Sequence, residues 1–216
     1  MNRRDVVVGL GALVGTGAAA SGTGAFDAAE VSRRADIDVV DDSNGLVGLV
    51  ANEAVAGVRM SAGGELTVSI GGGDPGVNVS SVYQFGAFVS DDSVDAVTGD
   101  AFPVVTDDDP SDMSDGQGSL ESAFAVVNQS AEDLSVTVDF ELRDDTDGST
   151  EYAFELQSSQ GGDGTREGLA TSPITGGLTA EVATGESIGV SFVINALDGT
   201  TGDEVSGSLS VSATAV

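Results

Sequence analysis

The side chains able to do chemistry in this sequence are almost all carboxylates. It holds 24 Asp and 12 Glu but neither His nor Cys. That excludes disulfides, Cys/His zinc sites, blue copper, haem held by His, thiol nucleophiles and any Ser-His-Asp triad. Binding of a hard cation and acid–base work by paired carboxyl groups remain. The densest acidic run is Asp107-Asp-Asp-Pro-Ser-Asp-Met-Ser-Asp115, which makes Asp107, Asp109, Asp112 and Asp115 candidate Ca²⁺ ligands on a loop. Its spacing is not that of an EF-hand. Counted from Asp107, the sixth position is Asp112 where Gly is required, and the twelfth is Gly118 where Glu is required. A solvated acidic face accounts for the same run without a metal, and a turn accounts for Asp144-Asp-Thr-Asp147-Gly148.

Among 36 acids a carboxylate pair at any chosen spacing arises by chance, so spacing alone does not indicate a glycosidase. Aromatic platforms of the kind sugar clefts use are scarce, with 8 Phe, 2 Tyr and no Trp. The expectation is a protein without catalytic residues and without a cofactor other than a possible Ca²⁺. Against the 36 acids stand 7 basic residues, all Arg, for a net charge of −29. Binding nucleic acid by neutralising phosphates is therefore excluded.

Acidity on this scale often means disorder, but disordered chains also lack apolar residues, and this chain is 40% hydrophobic. An acidic coat around a real core fits better. On a folded surface of roughly 8,500 Å² the carboxylates sit ~15 Å apart, so they repel one another in dilute buffer. At 1 M salt the screening length falls to about 3 Å and the repulsion nearly vanishes. The absence of Lys removes long apolar stems from the surface, which suits a protein kept soluble in brine. The composition points to an extreme halophile.

The chain begins with a charged stretch, Asn2-Arg3-Arg4-Asp5, followed by a Gly-diluted apolar segment from Val6 to Ala20 that is too short to span a bilayer. It reads as an export signal of twin-arginine type carried by Arg3 and Arg4, cleaved near Ala20 or Ala25. The expected division is a signal over 1–20, an N-terminal segment over 21–34 and one domain over 35–216. No membrane anchor is expected after removal of the signal, and the expected location is secreted or cell-surface. Arg33-Arg34 is the basic pair of the mature chain, read as partners for nearby carboxylates or, alternatively, as an inter-subunit contact on the N-terminal segment.

The run Gly22-Thr-Gly-Ala-Phe26, then Asp36-Ile-Asp-Val-Val-Asp-Asp42 and Gly45-Leu-Val-Gly-Leu49, resembles the opening of a family of exported haloarchaeal proteins of unknown function. More distantly it is similar to camelysin and the TasA-type biofilm fibre proteins. The second resemblance implies a structural protein of the cell surface or extracellular matrix that partners itself or other surface components. It further implies that the stretch Ala25 to Val40 adds as a strand to a neighbouring subunit, with Phe26, Ile37 and Val39 as contact residues. The alternative is a monomeric binding or adhesion module. The protease activity sometimes attached to camelysin does not carry over, because without His no H-E-x-x-H site exists.

Strands must position all of these groups. Alternation of period two dominates after residue 35, most clearly in Leu134, Val136, Val138, Phe140 and Leu142 against Ser135, Thr137, Asp139, Glu141 and Arg143. Similar patterns cover Leu66 to Ile70, Tyr152 to Leu156, Ile188 to Ile194 and Leu209 to Ala213. Weaker ones cover Asp36 to Val40, Ser81 to Val89, Phe102 to Val105, Ala123 to Val127 and Leu178 to Val182. About ten strands, each with one dry and one wet face, predict an all-β antiparallel sandwich of jelly-roll or Greek-key type. Asn128 to Asp133 and Asp147-Gly148 are expected to close antiparallel hairpins.

Overall fold

In the computed structural model the described residues are 35–40, 46–62, 66–69, 81–99, 102–113, 116, 118–142, 150–158, 164–171, 177–198 and 205–216. They contain twelve strands: β1 (Ala35–Val40), β2 (Val47–Ala51), β3 (Val58–Met60), β4 (Leu66–Ser69), β5 (Val82–Phe85), β6 (Phe124–Asn128), β7 (Leu134–Leu142), β8 (Glu151–Ser158), β9 (Thr165–Thr171), β10 (Leu178–Val182), β11 (Ser187–Asn195) and β12 (Val205–Ala215). One helical turn, α1 (Asp95–Thr98), and a 3₁₀ turn, Gly118–Leu120, lie between β5 and β6. Sheet I runs β10-β7-β12-β1-β4-β3 and sheet II runs β2-β6-β11-β8-β9. β5 shares a flank of β11 with β6: Ser187–Val190 pair with β6, and Phe192–Asn195 pair with β5.

The alternating residues do what their period demands. Leu134, Val136, Val138 and Phe140 of β7 and Leu209, Val211 and Ala213 of β12 turn inward. They meet Phe124, Val126, Tyr152, Phe154, Leu156, Ile188, Val190, Phe192 and Ile194 of sheet II in one core. Aromatic rings run across that core. Phe85 stacks on Phe192 at 4.6 Å and Phe192 on Phe154 at 5.1 Å, and Phe154 meets Phe140 of the facing sheet at 4.4 Å. The architecture is the expected all-β sandwich. One pair departs from the antiparallel rule: β1 runs parallel to β12, from Ala35 beside Val205 to Val40 beside Ser210. A tight turn cannot join parallel neighbours, but strands from opposite ends of the chain are free of that constraint.

Both expected hairpins are corrected. β7 pairs with β10 and β12, whereas β6 and β8 lie in sheet II, so the chain crosses between sheets at each of those connections. Asn128 builds the first crossing. Its Oδ1 accepts from the Ser130 backbone N–H at 2.9 Å and lies 2.8 Å from the Ser130 hydroxyl. Its Nδ2 donates to the carbonyls of Glu132 and Val182, both at 2.9 Å. Turn residues announce that the chain bends but not which sheet it enters next. Asp147-Gly148 lies outside the described residues, as does the rest of that second connection. Removing the amide with Asn128→Ala leaves buried backbone groups unpaired, and the expected loss is about 2–3 kcal/mol in a denaturant titration.

Phe102 to Val105 is not a strand. Pro103 lacks the N–H a ladder needs, and the segment instead makes one parallel bridge, Thr106 to Phe88. β2, β3 and β9 appear where no alternation pointed to them. No helix among the described residues is long and apolar enough to cross a membrane.

Candidate functional site

The centre of sheet II is buried on both faces. Every residue of β8 and β11 after the first is buried, including those that alternation turns away from the sandwich core. The cover is the excursion between β5 and β6. Phe88, Val94 and Val97 form a second apolar cluster with Ala153 and Val193 on the outer face of the sheet. Beside it lies a polar cluster: Glu155, Gln157, Ser122 and Ser191 are fully buried, and Arg166 reaches in from β9.

Each member is held by the others. One Glu155 oxygen, Oε1, accepts from the Val89 N–H at 2.7 Å and from Gln157 Nε2 at 2.8 Å. The other, Oε2, forms a short ion pair with Arg166 Nε. The remaining guanidinium nitrogens donate to the carbonyls of Asp92 at 3.0 Å and Ser90 at 2.5 Å. Gln157 also donates to the Ala87 carbonyl at 2.8 Å, and its Oε1 accepts from the Ser122 hydroxyl at 2.5 Å. A carboxylate taken out of water requires partners of this kind. The cluster fastens residues 87–92 of the excursion to β8 and β9. Asn195 fastens the next stretch, donating from Nδ2 to the Val97 carbonyl at the end of α1 at 2.6 Å.

The acidic run borders this cover. Asp107 Oδ1 accepts from the Asp109 N–H at 3.0 Å, and Asp109 Oδ1 accepts from the Ser111 hydroxyl at 2.9 Å. These are local turn contacts. Among the described residues no group of three or more Asp or Glu is arranged to hold a metal ion; Asp115 lies outside the described residues. Of the other residues singled out in the sequence, Arg3, Arg4 and Phe26 also lie outside them. Ile37 and Val39 sit in β1. Ile37 pairs with Gly207 on one side and Val68 on the other, and Val39 pairs with Leu209.

At the side of the sandwich where β7 and β10 approach β8 and β9, Val138, Phe140, Tyr152, Phe154, Leu156, Ala170 and Leu178 line an apolar recess. It has room for about one water-sized sphere, ≈ 10 Å³. Burial, reinforced by the nearby Asp139 carboxylate, raises the Tyr152 hydroxyl above its ordinary value. The folded chain therefore keeps this proton to higher pH than the unfolded chain. The contribution to stability is complete below about pH 10 and is lost as pH rises through the raised folded value. Thermal melts taken upward from about pH 9 should fall with pH, and Tyr152→Phe should flatten the fall.

Sequence reasoning missed Glu155, Gln157 and Arg166, because Glu155 and Gln157 occupy the nominally wet positions of β8. The available signal was apolar: Ala153 and Val193 stand on those same outer faces. No protein family, curated protein or solved structure matches the chain.

Proposed function

We propose that this protein is an exported, non-catalytic module of the cell surface or extracellular matrix, structural in role and working as a self-contained sandwich in high salt. One observation carries the self-contained part. β1 lies inside sheet I, bonded to β12 along six residues and to β4 along three. Donating it to a neighbouring subunit would require opening both pairings. The acidic coat and the signal-like N-terminus support the exported, brine-adapted part of the proposal.

A second reading, an adhesion module contacting its partner through loops, draws support from the excursion over sheet II. That segment presents Phe102 and Val105, 39% and 49% exposed, beside the acidic run and on a pinned base. Fractionating cells grown in brine tests the location: the protein should appear in the surface or medium fraction, and a purely cytoplasmic pool overturns the proposal. Negative-stain imaging of the exported form separates the structural readings. Discrete compact particles fit the self-contained sandwich, whereas fibres lost on deleting residues 25–34 fit strand donation.

A further inference from the structure

Among the described residues the sandwich has five edge strands, β2, β3, β5, β9 and β10, and all but β2 are guarded: β5 is four residues long, and its Gln84 amide is bonded to the Val105 backbone of the excursion. β3 is three residues long and carries Arg59, β10 carries Glu181, and β9 carries Arg166 and Glu167 opposite a register shift at Leu156/Gln157. Charges, brevity and bulges are the usual defences against edge-to-edge pairing. β2 has none of them. Its sequence Val-Gly-Leu-Val-Ala is uncharged, and it pairs with β6 in unbroken register from Val47 beside Asn128 to Ala51 beside Phe124.

The phase of that pairing fixes which groups point away from β6. Gln129 N–H donates to the Leu46 carbonyl and Asn52 N–H to the Ala123 carbonyl, both at 3.0 Å. The bonded positions are therefore the even-numbered ones, so Val47, Leu49 and Ala51 direct their N–H and C=O groups at the open edge. No described group bonds them there. In a chain of net charge −29, this uncharged row of free donors and acceptors is set apart.

We propose that the β2 edge is a homodimer interface, pairing antiparallel with the β2 edge of a second copy about a two-fold axis at Leu49. The strand matches itself. Leu49 faces Leu49 of the other copy, and Val47 faces Ala51 in both directions, so three narrow pairs exchange about six backbone hydrogen bonds. In the wide pairs between them, Val50 faces Gly48. Val50 is 46% exposed. A Cβ on Gly48 would fall 2.3 Å from Gln129 Nε2, so the Gln129 amide already roofs that position. The partner's Val50 packs against this roof. The two copies join their second sheets into one continuous sheet, and the two-fold pairing consumes both β2 edges and stops at two. Screening of the acidic coats in brine permits the approach. The proposal is independent of where the protein works.

Sedimentation equilibrium of the full chain at about 3 M KCl tests it, with wild type compared against three variants. Val50→Lys places a charge on the edge, and Ala51→Pro deletes an outward N–H that bonds nothing within the chain. Val105→Lys alters an equally exposed valine elsewhere. The expected result is a reversible wild-type dimer, a dissociation constant raised about tenfold or more by each edge variant, and no change with Val105→Lys. Should Ala51→Pro fail to fold by circular dichroism, Val50→Lys alone decides. A strictly monomeric wild type overturns the proposal. So does association undiminished by Val50→Lys, or assembly that continues past two copies.

Discussion

Replacing Arg166 with Ala is expected to destabilise the protein by about 3–5 kcal/mol, because it leaves the fully buried Glu155 carboxylate without its cation. For a domain of this size that corresponds to roughly 10 °C in melting temperature. The loss should be local as well as global. Arg166 also holds the Ser90 and Asp92 carbonyls, and Glu155 holds the Val89 N–H. Hydrogen exchange at Val89 should therefore accelerate, and limited proteolysis should cut between residues 88 and 106 before it cuts the sheets. Glu155→Gln should cost less, since its carbonyl can still accept from Val89 and the charge it leaves unpaired, on Arg166, is 22% exposed and within reach of water. Equal losses from the two variants would mean that a stranded buried carboxylate is not what sets the cost.

Dilution of salt should have the larger effect. Transferring the protein from about 3 M to about 0.1 M KCl lengthens the screening distance from under 3 Å to about 10 Å, which approaches the spacing between carboxylates. Carboxylates across the surface then repel one another together, and the sandwich should unfold cooperatively as followed by far-UV circular dichroism. It should refold when salt is restored. The Arg166–Glu155 pair offers little resistance, because a single buried pair does not offset a net charge of −29. A protein retaining its full near-UV signal in dilute buffer would contradict the brine-adapted surface.

The strands that face solvent on one side were legible from alternation alone. β7 shows this best: Leu134, Val136, Val138 and Phe140 are buried while Asp139 is exposed. Alternation marks β8 and β11 as strands but predicts a wet outer face for each, which is buried instead. Periodicity reports which residues share a face, and it is silent on whether a distant segment covers the other face. The cover is fastened by contacts between residues far apart in sequence, such as Gln157 with Ala87 and Arg166 with Ser90, which no local pattern encodes. The two sheet crossings failed for a related reason. Asn128 and Asp147-Gly148 have turn chemistry suited to a hairpin, but the strands they connect find better apolar partners in opposite sheets. β2 begins inside the Gly45-Leu-Val-Gly-Leu49 run that stands out in the sequence, yet its three successive apolar residues Leu49, Val50 and Ala51 have no period of two. β9, with Arg-Glu-Gly at its centre, has none either.

The claim on which the account rests is that β1 completes sheet I of its own chain. The sequence has no Cys, so an engineered pair reports without background. Asp38 and Ser208 are register partners on β1 and β12, which places them about 4.8 Å apart, within disulfide range. The double variant Asp38→Cys/Ser208→Cys, folded in brine and oxidised, should run on a non-reducing gel as a single monomeric band with one intrachain bridge confirmed by peptide mass. A ladder of disulfide-linked multimers would show β1 in a neighbour's sheet and contradict the self-contained sandwich.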